Sequence, residues 1–191
     1  TKYYSRPIPP DPQQIVLEVR KEFREKYQRA GMAITGANII IAENGAMVLV
    51  TNEGNDRLAL AFAPIHIVIA GVEKIVSSTR DVLKILKILP RNATGQRLSS
   101  YVSFHLPNMT AYPRGARLSP RRTIYILIDN GRMRARQDQE IKEILYCIRC
   151  ASCLQVCPPY NMVGGHVFGY IYSGPMGIPW TMIAHGLEKT Y

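Results

Sequence analysis

The sequence predicts a layered α/β domain followed by a smaller region organised around cysteines. Three observations carry this prediction. Segments rich in Ile and Val alternate with segments whose apolar residues recur at spacings of three and four, as strands and helices packed in layers do. Apolar residues make up 47% of the chain and charged residues 20%, enough apolar surface to collapse around a core, which excludes wholesale disorder. All 4 cysteines fall between Cys147 and Cys157, beyond the last predicted strand.

Taken in order, Thr1 to Asp11 is read as an extended arm, because prolines there remove backbone donors. Asp11 is placed to cap a helix that opens on Pro12 and carries Val16, Val19, Phe23 and Tyr27 on one face until Gly31 ends it. Asn38 to Glu43 and Ala46 to Thr51 read as a β-hairpin closed by Asn44-Gly45, a pair that tolerates positive φ. A loop from Asn52 to Asp56 leads through Leu58 to Phe62 and Pro64 into Ile65 to Ala70, an unbroken apolar strand expected to be buried on both faces. Ser78 or Thr79 caps a helix with Val82, Ile85, Leu86 and Leu89 on one face, stopped by Pro90. Tyr101 to Leu106 and Thr123 to Asp129 are further strands, with an arginine-rich polar loop, Tyr112 to Arg122, between them. A separate region starts near Gln137, where Ile141, Ile144 and Leu145 form a short amphipathic stretch leading into the cysteines.

The cysteine window reads C-x2-C-x2-C-x3-C-P over Cys147, Cys150, Cys153, Cys157 and Pro158, the spacing of a bacterial-type [4Fe-4S] run. Two disulfides within so short a segment would strain the geometry such bonds require, so clustered thiols point to metal or redox chemistry. Structural zinc is the alternative, but it normally uses two separated Cys-x2-4-Cys knuckles and the sequence holds no second one. In two-cluster ferredoxins the fourth cysteine of a run ligates the other cluster. Cys157 therefore either closes a one-cluster site or awaits a second run beyond Tyr191 or on another chain, and truncation is the expected reason.

With 24 Lys plus Arg against 14 Asp plus Glu, the chain has a net charge of +10. The excess gathers at Arg91, Arg97, Arg114, Arg117, Arg121 and Arg122, without the basic-aromatic pattern of a nucleic-acid binder, so an anionic substrate or acidic partner is expected instead. No run approaches the roughly 20 apolar residues of a membrane span. No secretion signal is visible.

Several ordered segments resemble the lactate-utilisation iron-sulfur protein B family: Thr35-Gly36-Ala37-Asn38, Ile41-Ala42-Glu43-Asn44-Gly45, Val50-Thr51-Asn52-Glu53-Gly54-Asn55, His66 with Gly71-Val72-Glu73-Lys74, and Ala93-Thr94-Gly95-Gln96. Gly164-Gly165-His166 and Tyr172-Ser173-Gly174-Pro175-Met176-Gly177 continue the likeness after the cysteines. The resemblance implies a lactate-utilisation (LUD) domain, similar in fold to the sugar-phosphate isomerase and CoA-transferase-like α/β group, joined to a mainly helical ferredoxin-type module. It implies a central fragment, with residues 1–135 the C-terminal part of the LUD domain and 136–191 the start of the 4Fe-4S module. The implied role is an electron-transferring subunit of a cytoplasmic system that oxidises L-lactate to pyruvate, carrying one 4Fe-4S cluster here and two in the complete protein. Its implied partners are the other subunits and a small carboxylate.

An enzymatic α/β domain acting on a small anion, with an accessory cluster, is the competing reading. Its candidate acid-base residues are Glu43 and Glu53, near the ends of β segments, and the plainer reading makes them a hairpin flank and a turn cap. Asn52, Gly54 and Asn55 read as a polar turn in preference to an anion-binding loop, and His66 as a satisfied core residue in preference to a catalytic one. His166 has two readings: a hydrogen-bond donor that tunes the cluster or its redox partner, or a polar turn residue.

Overall fold

The computed structural model describes residue 7 and residues 10–107, 111–114, 117–168 and 172–189. Most of the expected N-terminal arm lies outside the described residues. Helix α1, Pro12–Arg29, starts where Asp11 and Pro12 predict: the Asp11 carboxylate accepts the Gln14 N–H at 3.1 Å, and Pro12 has no N–H to leave unpaired. None of its residues is buried, so Val16, Val19 and Phe23 form an apolar stripe facing solvent.

After α1 come β1 (Met32–Thr35), β2 (Ile39–Ile41), β3 (Met47–Thr51), α2 (Asn55–Ala61), β4 (Ile65–Gly71), β5 (Ile75–Val76) and α3 (Thr79–Thr94). Strands β6 (Tyr101–His105), β7 (Ala111–Arg114), β8 (Arg117–Pro120) and β9 (Arg122–Ile128) follow. The remainder is helical: α4 (Arg132–Gln137), α5 (Ser152–Gln155), α6 (Pro158–Val163) and α7 (Gly177–His185), with 3-10 turns at Lys142–Tyr146, Gly165–Phe168 and Leu187–Lys189.

Two sheets and a helix form the layers. Strands β1-β4-β9 make a wholly parallel sheet, and β5-β2-β3-β6 a mixed one in which β2 pairs parallel with β5 and antiparallel with β3. Side chains alternate across a strand, so β2 and β3 feed two cores at once. Ile40, Met47 and Leu49 pack with Ala33, Val68 and Ala70 of the parallel sheet, whereas Ile39, Ile41 and Val48 pack with Val82 of α3. Burial on both faces explains why the two strands read as near-continuous apolar runs.

The strand expected to be buried on both faces, β4, is buried on one. His66, Val68 and Ala70 point into the core, while Ile69 on the other face is 37% exposed. Ile34 of β1 and Ile126 of β9 share that outer face and are likewise exposed. The Asn44-Gly45 hairpin forms with a wider connection, because β2 ends at Ile41 and the Gly45 N–H bonds the Ile41 carbonyl at 2.8 Å. Only Gly45 takes positive φ, 70°, and the Asn44 side chain accepts the Ala46 N–H at 2.9 Å.

Two further expectations are corrected, and one unassigned segment gains an element. Leu58 to Phe62, unassigned from sequence, is largely helix α2, whose Leu60 is buried in the first core. Pro90 does not stop α3, which continues to Thr94 and ends at Gly95 with φ 72°. One proline forfeits one N–H bond, and burial of Pro90 near the helix end offsets that loss. Tyr112 to Arg122 is not a polar loop: β7 and β8 pair antiparallel, Ala111 opposite Pro120 and Arg114 opposite Arg117. Within it Arg121 is buried, its Nε donating to the Ala63 carbonyl at 2.9 Å, so this cation of the basic excess holds the fold together.

A separate small core joins α4, the Lys142–Tyr146 turn and α7 through Ala135, Ile144, Trp180 and Ile183. Gly131 permits this approach. Its φ is 87°, and a Cβ there would stand 2.7 Å from the Ile183 carbonyl oxygen.

Candidate functional site

The cysteine loop hangs between the Lys142–Tyr146 turn and α6. Cys147 ends the turn, Cys153 lies in α5, and Cys157 is the residue that caps α6 just before Pro158. Arg149 and Ala151 take left-handed φ values of 58° and 62°, which cost a non-glycine residue roughly 1–2 kcal/mol each and bend the chain sharply on both sides of Cys150. All four thiols are free and half-buried. The Asn92 amide, near the end of α3, donates to Cys150 Sγ at 3.5 Å, and the Gln155 side chain donates back to the Asn92 carbonyl.

A buried ionic clamp fixes this loop to the α/β layer. Glu73, with its side chain 2% exposed, receives Arg132 Nε at 2.5 Å and Arg149 Nη2 at 3.1 Å. The Arg149 guanidinium lies 4.1 Å from the Tyr172 ring centre and 4.8 Å from that of Trp180, while Arg132 covers Trp180 at 5.0 Å. One carboxylate thus ties the segment after β4 to the start of α4 and to the cysteine run, and its two arginines lie over Trp180 of α7.

Among the described residues no three His, Cys, Asp or Glu side chains are grouped closely enough to hold a metal ion. The chemistry of the donor set fits an iron-sulfur cluster all the same. It comprises four thiols uncommitted to disulfides, at cluster spacing, one of them already receiving an N–H.

The structure places the other predicted residues apart from this loop. Glu43 and Glu53 flank opposite ends of β3. Glu43 Oε2 accepts the Thr79 N–H at 3.2 Å, at the N-terminus of α3, where a carboxylate is favoured by the helix dipole. Glu53 folds back onto its own turn, accepting from Thr51 Oγ1 at 2.7 Å, and this bond followed by backbone N–H groups holds its carboxyl below the usual range. Asn52 is tied across to Gln96 at 2.9 Å and to the Ser100 N–H at 3.0 Å, as a turn-forming side chain is. His66 is a core residue, 1% exposed, with Nε2 2.7 Å from Thr35 Oγ1. His166 lies on the exposed surface of the Gly165–Phe168 turn. Replacing Glu43 with Gln is expected to lower stability by no more than about 1 kcal/mol, the worth of a helix-end charge, as denaturant unfolding would show.

With this geometry in hand, comparison with known proteins is decisive at the family level. The sequence model of the LUD domain matches residues 3–142. The chain belongs to the LUD domain family. Lactate utilization protein B of Shouchella clausii (strain KSM-K16) is 41% identical over 180 residues, which are 93% of this chain and 37% of that protein. The namesake from Bacillus velezensis (strain DSM 23117 / BGSC 10A6 / LMG 26770 / FZB42) is 39% identical over the same length. The chain therefore spans little more than a third of these relatives. A DUF162 family protein from Deinococcus radiodurans overlays with a TM-score of 0.40 and 18% identity, covering 55% of this chain and 58% of that one.

The LUD match ends at residue 142, short of Cys147, so the clamp crosses that limit: Glu73 and Arg132 lie inside the matched LUD region and Arg149 outside it. Reading the sequence missed Glu73, Asn92 and Arg149 as supporting residues. The one available signal was Arg149 itself, a long cation inside the first Cys-x2-Cys gap, where a small or apolar residue would fill the turn as well.

Proposed function

We propose that this LUD-domain chain acts in lactate utilisation as an electron-transferring iron-sulfur protein, with Cys147, Cys150, Cys153 and Cys157 holding a 4Fe-4S cluster. The observation that carries the reading is the free, half-buried C-x2-C-x2-C-x3-C-P run on a loop clamped to the LUD layer. When bound, a cubane supplies one-electron transfer. The polypeptide does the rest. Its thiolates would hold the iron, the Asn92 amide that donates to Cys150 Sγ would favour the reduced state, and the Glu73–Arg149 pair anchors the loop.

The names of the relatives support the lactate assignment, and no helix among the described residues is long and apolar enough to cross a membrane. Free clustered thiols fit a reducing compartment, and the proposed setting is the cytoplasm beside the other subunits of a lactate-oxidising system.

Visible absorption of the anaerobically reconstituted chain and of its Cys150→Ser variant tests this reading. A brown chromophore is expected in the parent and its near-complete loss in the variant. A variant that retains the full chromophore, or a parent that stays colourless while binding zinc, contradicts it.

A further inference from the structure

A cavity of about 730 Å³ lies between the β5–α3 side of the α/β layer and the segment running from α4 into the cysteine loop. Its size falls within the roughly 300–1,000 Å³ of pockets that hold drug-sized ligands. Val76, Ile85, Leu89 and Leu145 give it apolar wall. Lys74, Arg132, Arg136 and Lys142 also line it, against one acidic lining residue, Glu73. Both oxygens of Glu73 are already engaged by Arg132 and Arg149, so the cavity carries a surplus of positive charge. Lys74 belongs to this lining, and Glu73, the carboxylate near it, is already committed to the two arginines.

We propose that this cavity binds an amphiphilic organic anion, its carboxylate or phosphate head held by Lys74, Arg136 and Lys142 and its apolar body lying against Ile85, Leu89 and Leu145. Burying the body releases water from both surfaces, and the head supplies the negative charge the walls lack. Cys147 belongs to the same lining, which sets the ligand beside the first residue of the cysteine run. The inference rests on the lining residues alone and assigns no role to the cluster.

Calorimetric titration of the full 191-residue chain with octanoate and, separately, with octyl phosphate tests it. Saturable binding is expected for at least one of them, and comparing the two distinguishes the head groups. Binding should be about tenfold or more tighter than that of L-lactate or inorganic phosphate, which leave the apolar wall unfilled. Octylamine, with the same body and the opposite charge, should not bind. Arg136→Met, at an exposed position that does not threaten the fold, and Lys74→Met should each weaken the anion by about tenfold. If Lys74→Met fails to fold, Arg136→Met decides alone. Absence of saturable binding by either anion, octylamine binding as tightly, the small anions matching the long ones, or unchanged affinity in the folded variants overturns the proposal.

Discussion

Replacing Glu73 with Ala is expected to destabilise the chain by about 3–5 kcal/mol, the usual cost of stranding a buried charge when its partner is removed. Arg132 is the stranded group: its side chain is 8% exposed, and without Glu73 it keeps the Asp129 carbonyl at 3.0 Å and the face of Trp180 but no counter-ion. Arg149, at 28% exposure, has easier access to water and contributes less. The consequence is spatial as well as energetic. The segment carrying the cysteines loses its ionic attachment to the α/β layer, so limited proteolysis should cut within residues 138–157 before the sheets unfold. Denaturant unfolding gives the magnitude. A loss below about 1 kcal/mol with an unchanged cleavage pattern would mean that the apolar core around Trp180 holds the loop unaided.

Acid should weaken the fold through His66. Burial, with His105 and Arg121 adding to it, lowers its pKa from 6.5 to about 4. The folded chain keeps this imidazole neutral while an unfolded chain protonates it, so the unfolded state binds more protons between pH 6.5 and pH 4. The stabilisation is complete above pH 6.5 and is lost as the pH falls toward 4, amounting to on the order of 3 kcal/mol at 1.36 kcal/mol per pH unit. His105, 6.3 Å away and also lowered by burial, acts in the same direction. Carboxylates titrate over part of the same range, so the informative quantity is the difference from His66→Gln. That variant should show a stability-pH slope shallower by close to one proton, and an identical slope would refute the assignment to His66.

How much of this was legible in the sequence differs from element to element. Asp11-Pro12 marked the start of α1 because a cap and a pre-set φ are local properties, and the Ile and Val runs marked β2 and β3 for the same reason. The hairpin was located correctly but its width was not, since the first strand ends at Ile41, where parallel pairing with β5 determines the next bonds. The β7–β8 ribbon escaped because arginine and proline carry a loop signature and strand pairing overrides it. Pro90 misled in the opposite sense, a local stop overruled by burial.

The candidate site divides along the same line. The spacing of the four cysteines is a local property, visible without any fold. Their supports are not, because the Glu73–Arg149 bond joins residues 76 positions apart and Asn92–Cys150 joins residues 58 apart. Glu43 lies beside the β hairpin as its flanking position suggested, yet its contact with the α3 N-terminus depends on a register no local pattern encodes.

Iron and acid-labile sulfide measured together on protein isolated anaerobically, with zinc determined in the same sample, bear most directly on the cysteine loop. Iron and sulfide in equal amounts, abolished when all four cysteines are replaced by serine, is the expected result. Zinc in their place, or iron that persists in the four-serine protein, would contradict it.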